Sequence, residues 1–146
     1  GVADRLAELL NLREIEPVER IYDDAGFGRI GELEKEQSLN EFLTDLKKIL
    51  QVNNLKAINP SNKTKVKRVA VLPGSGGDFI NRIKNADIYI TGDIKYHNAL
   101  EVSDTVVIDA GHAETERIIL PVLKKLLSGF DIEIFSAEES SPWETV

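Results

Sequence analysis

Apolar residues recur at helical spacing at the start of the chain, at Val2, Leu6, Leu9 and Leu10, and predict an amphipathic helix over 2–11. Pro17 interrupts the next segment, where 15–22 reads as a short strand. Asp24-Ala25-Gly26-Phe27-Gly28 reads as a turn region, and Ile30 to Leu33 as another short strand. Ser38 followed by Glu41 is a capping-box pattern, and Leu39, Phe42, Leu43, Leu46, Ile49 and Leu50 then mark one face of a helix. Residues 51–65 are polar, with Asn59-Pro60 near their centre, and suit a linker or hairpin inside a single domain spanning 1–146.

From Val66 onward the pattern is regular. The apolar runs Val69-Ala70-Val71-Leu72, Ile88-Tyr89-Ile90 and Val106-Val107-Ile108 alternate with segments of helical period, and Ile132-Glu133-Ile134-Phe135 closes the series. Such alternation predicts an α/β fold with a mainly parallel sheet flanked by helices. Pro121 lies inside the apolar pattern that runs to Leu127, so that helix should break near Leu120.

Composition narrows the partners. A formal net charge of −7 works against binding nucleic acid or an anionic membrane. Lys63, Lys65, Lys67 and Arg68 form a local basic cluster, which reads as the solvated entrance to a strand. The chain contains no cysteine, which removes disulfides, thiol catalysis and thiolate ligands and fits a cytoplasmic location. No apolar stretch approaches the roughly 20 residues of a membrane span. There is no methionine, even at position 1, and the first residues already carry the helical pattern. The expectation is therefore a longer gene product. Trp143, in the acidic stretch Glu138-Glu139-Ser140-Ser141-Pro142-Trp143, suits a docking or interaction segment.

Three consecutive strands end in unusual residues: Gly74-Ser75-Gly76-Gly77, Thr91-Gly92-Asp93, and Asp109-Ala110-Gly111-His112. Parallel pairing would bring these ends to one rim, where open α/β sheets bind ligands. The glycine loop offers backbone N–H groups to an anion, although the same glycines also suit a tight strand-to-helix turn. His112 and Glu116 stand four residues apart and would share one helix face as a candidate metal pair, with Asp109 and Thr115 near enough to support them. Asp93 and His97 show the same spacing. The pair suits proton transfer, since imidazole titrates near neutral pH, or else a helix-capping Asp93 beside an incidental His97.

These motifs, in this order, resemble the Nif-three-like dinuclear-metal-centre family, whose members carry the name GTP cyclohydrolase I type 2 homologues. The Gly1-Val2-Ala3-Asp4 start and the segment from Gly26 to Gly31 resemble it as well. The resemblance implies two similar α/β lobes with two divalent ions (zinc, manganese or iron) between them, and a homohexamer. His112 and Glu116 match the family's late metal ligands. The family's other ligands, a His-His pair and an Asp, have no counterpart here, so the chain resembles the C-terminal lobe of a two-lobed protein. Alone, such a lobe should expose apolar surface and self-associate. The function expected by resemblance is metal-dependent hydrolysis of a nucleotide-like or phosphorylated small molecule. The alternatives are a non-catalytic oligomeric metal-binding scaffold or regulatory interaction protein, and a flavodoxin-like small-molecule binder using the glycine loop alone.

Overall fold

A computed structural model describes residues 1–23, 25–137 and 142. Asp24, the stretch 138–141 and residues 143–146 lie outside the described residues, and with them the expected acidic interaction segment and Trp143. In chain order the elements begin with α1 (Val2–Leu9), β1 (Arg13–Glu16), β2 (Glu19–Tyr22), β3 (Ala25–Phe27), β4 (Arg29–Ser38), α2 (Leu39–Leu50), β5 (Lys56–Ile58) and β6 (Lys65–Ser75). A 3-10 helix (Gly77–Arg82) leads to β7 (Ile88–Gly92), α3 (Tyr96–Leu100), β8 (Val106–Asp109) and α4 (His112–Glu116). A 3-10 turn (Arg117–Ile119) then joins α5 (Leu120–Leu127).

One six-stranded sheet runs β1-β4-β6-β7-β8-β5, and β2 and β3 form a separate two-stranded sheet. The expected parallel arrangement describes the centre, where β6, β7 and β8 run parallel. The flanks β1, β4 and β5 pair antiparallel. Central strands are buried on both faces and read as continuous apolar runs. Val69, Val71, Ile88, Ile90, Val106 and Ile108 point to the face covered by α1 and α2. Ala70, Tyr89 and Val107 point to the other, where they meet Ile30, Ile80, Ile83 and Ala86. The period-2 alternation of a strand separates the two cores.

Helix α2 is built as its sequence requires. The Ser38 hydroxyl accepts from Glu41 N at 3.2 Å, and the Glu41 carboxylate accepts from Ser38 N at 3.2 Å. Gln51 ends the helix in the left-handed region, at φ 56°. Phe42, Leu46 and Leu50 recur every fourth residue and are almost wholly buried. Each contributes about 1.5–3 kcal/mol by leaving water.

Several segments depart from their sequence reading. Pro17 divides 15–22 between two sheets, so that β1 and β2 are distinct strands. Residues 25–27, read as part of a turn, form β3. Residues 30–33 are the buried part of a ten-residue strand whose polar half runs on to Ser38. The polar stretch 51–65 contains β5, an edge strand on β8 whose short exposed sequence looks like a loop. The segment around Phe79 is a 3-10 helix rather than an α-helix. The chain does break at Leu120, and Pro121 lies in the first turn of α5, where its missing N–H costs nothing. Residues 132–135 form no strand, and Ile132 and Phe135 are mostly exposed. Leu120, Leu123, Leu126 and Leu127 on α5 are also at least 41% exposed. Among the described residues, no helix is long and apolar enough to cross a membrane.

The basic cluster is matched charge for charge. Lys63 pairs with Asp87, Lys65 with Glu36, Lys67 with Glu32, and Arg68 with both Glu16 and Glu32. Exposed pairs of this kind add about 0–1 kcal/mol each. They also cancel the local charge that a polyanion would need.

Asp87 does more than pair with Lys63. Its carboxylate accepts from Lys67 N at 3.0 Å and Arg68 N at 2.9 Å, its own N–H donates to Arg68 O, and its carbonyl accepts from Val106 N. One residue thereby ties together the amino ends of all three parallel strands. Burial pushes its pKa up, but donation from Arg68 N, Lys67 N and the Lys63 ammonium outweighs burial and holds it below 3.8. Asp87→Ala should cost about 1–2 kcal/mol by leaving two N–H groups without their acceptor, allowing for partial solvation. A depressed folded pKa means that the contribution is present above pH 3.8 and fades as pH falls through the folded value. Urea denaturation should therefore show a gap between wild type and variant at pH 7 that closes only in acid.

Candidate functional site

Because β6, β7 and β8 are adjacent and parallel, their carboxyl ends form one rim. The loops beyond them pack backbone against backbone. A side chain at Gly92 would place its Cβ 2.6 Å from both Gly111 C and His112 N and 2.7 Å from Gly74 O. Glycine is required there by space alone. Gly74 and Gly111 adopt φ of +80° and +88°, which L side chains rarely reach, and Gly111 turns the chain into α4.

Helix α4 opens with His112 and closes with Glu116, so the two side chains share a face. His112 Nε2 lies 3.3 Å from Glu116 Oε2. On the other side of the ring, Nδ1 lies 2.7 Å from Asp93 Oδ2. Asp93 reaches this position by taking φ +53°, a left-handed conformation that costs a non-glycine residue free energy, though Asp tolerates it better than most. The Glu116 carboxylate leans on the bare Cα of Gly74, where a Cβ would lie 2.5 Å from Glu116 Oε1 and 3.4 Å from His112 Nε2.

Thr115, fully buried, locks the arrangement. Its hydroxyl accepts from Gly74 N at 2.9 Å and shares its proton between the carbonyls of Gly111 and His112. Asp109 supports from below, accepting from Gly111 N at 3.2 Å and Ile94 N at 3.4 Å, with the Lys56 ammonium 3.9 Å away. Asp109 and Thr115 thus bond to backbone groups of the loops around His112 rather than to its ring or to Glu116.

Two expectations meet a different geometry. The Asp93–His97 pair is absent among the described residues: Asp93 precedes α3 by three positions, so helical i, i+4 spacing never applies, and it reaches across to His112 instead. His97 is exposed on α3. In the glycine loop, the N–H groups of Gly74 and Gly76 are not free for an anion, because Thr115 and Thr91 accept from them. The loop from Gly74 through Ser75 and Gly76 to Gly77 leads into a 3-10 helix of six residues, with Asp78 in its first turn. Asp93, Asp109, Glu114 and Glu116 around the rim favour a cation over an anion.

Sequence reasoning passed over Thr91 and Tyr89. Thr91 was visible as the strand-end residue before Gly92-Asp93, but nothing in the sequence says which loop its hydroxyl meets. The Thr91 hydroxyl accepts from Gly76 N at 2.8 Å, and the Tyr89 phenol donates to Gly76 O at 2.9 Å. Burial raises the Tyr89 pKa well above 10, so the phenol remains a neutral donor.

His112 Nε2 and Glu116 offer two donors facing one point, at a spacing that two ligands of one ion with bonds of about 2.0–2.2 Å can show. The residues fit part of a metal site. Among the described residues no group of three or more His, Asp and Glu side chains forms a complete one. From His112, an open groove of about 930 Å³ runs to the exposed face of α5 at Leu120, Leu123 and Leu127.

The Asp93 hydrogen bond raises the His112 pKa above 6.5; burial opposes it slightly, and the charge of Glu116 adds to it. The ion pair therefore contributes stability below pH 6.5 that is lost as pH rises through the raised value. Asp93→Asn should move the His112 titration back toward 6.5, as followed by the imidazole proton shifts in NMR. An unchanged midpoint would show that Asp93 does not hold the ring.

The chain matches the family model described as Duf34/NIF3 (NGG1p interacting factor 3) over residues 1–142. It is 37% identical over 123 residues to a GTP cyclohydrolase 1 type 2 homolog of Nostoc sp., covering 80% of this chain and 46% of that protein. It is 36% identical over 145 residues to NGG1-interacting factor 3 of Saccharomyces cerevisiae, covering 87% and 50%. A Staphylococcus aureus hypothetical protein of known crystal structure shares the fold, with a TM-score of 0.82 at 24% identity, over all of this chain and 64% of that one. The chain spans about half the length of the curated relatives described here. It belongs to the Duf34/NIF3 family.

Proposed function

We propose that this chain carries part of the metal centre of a metal-dependent hydrolase acting on a nucleotide-like or phosphorylated small molecule. The carrying observation is the state of His112. Its Nδ1 is engaged by Asp93, which leaves Nε2 facing Glu116 at 3.3 Å. Metal-binding histidines are commonly held in this way, by a carboxylate on the second ring nitrogen.

His112 Nε2 and Glu116 would hold a divalent ion (zinc, manganese or iron), with two ions per full-length protein. The remaining ligands come from elsewhere in a longer protein or from another subunit of a homohexamer, in a cytoplasmic setting. When bound, such an ion supplies Lewis acidity for hydrolysis. The other roles belong to the chain itself. Asp93 fixes the tautomer of His112 by accepting the Nδ1 proton. Gly74 keeps the space beside Glu116 open. With Asp93 committed to His112, the exposed imidazole of His97 is the remaining candidate for proton transfer. The groove along α5 gives a small molecule room beside the rim.

A second reading is a non-catalytic metal-binding scaffold. The exposed leucines of α5 and the name of the yeast relative, NGG1-interacting factor 3, favour it.

The test compares metal content per chain, after zinc or manganese loading, for this chain and for a protein containing the whole length of its relatives. The long form should retain about two ions and lose at least one in His112→Ala or Glu116→Gln. Zinc retention should also fall from about pH 8 to about pH 6, since a proton on His112 competes with the metal. Full retention in His112→Ala would overturn the ligand assignment. Loaded protein that hydrolyses no nucleotide or phosphate ester in a broad screen would leave the scaffold reading.

A further inference from the structure

We propose that Thr91 is a positioning residue for the His112–Glu116 site, acting through Gly76 and the loop that carries Gly74. Glu116 rests on Gly74, so its carboxylate is only as well placed as that loop. A glycine-rich loop holds itself poorly, because glycine has a wider choice of dihedral angles than any other residue. Here side chains hold it at two points, beside the β6–β7 ladder that pairs Ser75 with Gly92. Thr115, on the same helix as the two candidate ligands, takes the N–H of Gly74. Thr91 and Tyr89, both on β7 and both fully buried, take the N–H and the carbonyl of Gly76.

Both polar groups of Gly76 are thereby bound to one neighbouring strand. A side chain at Gly76 would collide with Tyr89 Oη and Thr91 Oγ1, so the grip closes on a bare Cα. Thr91 also works through its backbone. Its carbonyl accepts from Ala110 N at 2.8 Å, just before the turn into α4. A single residue thus sets the glycine loop relative to the start of the helix that bears His112 and Glu116. Gly92, next in sequence, lets the three loops touch, and Asp93 follows on to His112 Nδ1.

This inference rests on the metal reading for its affinity arm only. Thr91→Val keeps the shape but removes the acceptor for Gly76 N, while Thr91→Ser keeps the hydroxyl. In the full chain without metal, the cross-peak between the His112 ring and the Gly74 Hα protons should be present in wild type and Thr91→Ser and absent in Thr91→Val. Zinc affinity, measured by competition with a chromophoric chelator, should weaken about 10–100-fold in Thr91→Val and stay within about threefold in Thr91→Ser. If Thr91→Val fails to fold, Tyr89→Phe removes the phenol's bond to the Gly76 carbonyl with the ring retained and leaves that carbonyl only its bond from Phe79 N, and losses in the same direction are expected. A wild-type cross-peak that survives in Thr91→Val or Tyr89→Phe with unchanged zinc affinity overturns the proposal. So does an equal loss in Thr91→Ser, or a wild type without the cross-peak. A wild-type chain that shows the cross-peak and binds no zinc, as a site short of its remaining ligands would, leaves the clamp to be judged by the cross-peaks alone.

Discussion

The contact on which the rim depends is backbone on backbone. Gly74 O and the peptide joining Gly111 to His112 close on Gly92 from either side, leaving no room for a single methyl group. This is possible only because β6, β7 and β8 lie side by side in parallel, so that three loops far apart in sequence leave the sheet at one level. Asp87 ties the same strands at their other end through the Lys67 and Arg68 N–H groups and Val106 N. The register that brings the loops together is thus held from the opposite edge of the sheet.

Given that frame, the polar groups of the rim fall into two layers. The buried layer, made of Tyr89, Thr91 and Thr115, spends its hydrogen bonds on backbone groups of the glycine loop and of the turn into α4. The exposed layer, made of Asp93, His112 and Glu116, forms a chain of its own, with the imidazole between two carboxylates. A buried polar group must find a partner inside the protein, so hydroxyls that can both donate and accept suit the lower layer. The half-exposed upper layer leaves His112 Nε2 and Glu116 open to solvent on one side. The composition of the glycine loop invites an anion cradle, but the N–H groups of Gly74 and Gly76 already donate to Thr115 and Thr91.

The surface away from the rim has a different character. Three lysines and Arg68 at the entrance to β6 are paired with carboxylates from β1, β4 and Asp87, whereas α5 presents four leucines without burying one. The groove beside His112 runs directly onto that apolar face.

Much of this was legible in the sequence because its causes are local. A continuous apolar run bounded by glycine marks a central strand, Ser38 with Glu41 marks a helix start, and Pro121 marks a break. Those signals placed the three central strands and α2, and drew attention to the strand ends where His112, Glu116, Asp93 and Thr115 lie. The polar edges escaped, because an exposed three-residue strand such as β5 has the composition of a loop and is made a strand only by β8 beside it. Ile132 to Phe135 failed in the opposite sense: strand-like residues form no strand without a neighbour to accept their hydrogen bonds. What tertiary structure alone decided was pairing across loops. Helical spacing suggested Asp93 with His97, and only the convergence of three strand ends delivers Asp93 to His112, Thr91 to Gly76 and Glu116 to Gly74. Sequence separation carries no information about such contacts, since they are set by which strands are neighbours and in what direction they run.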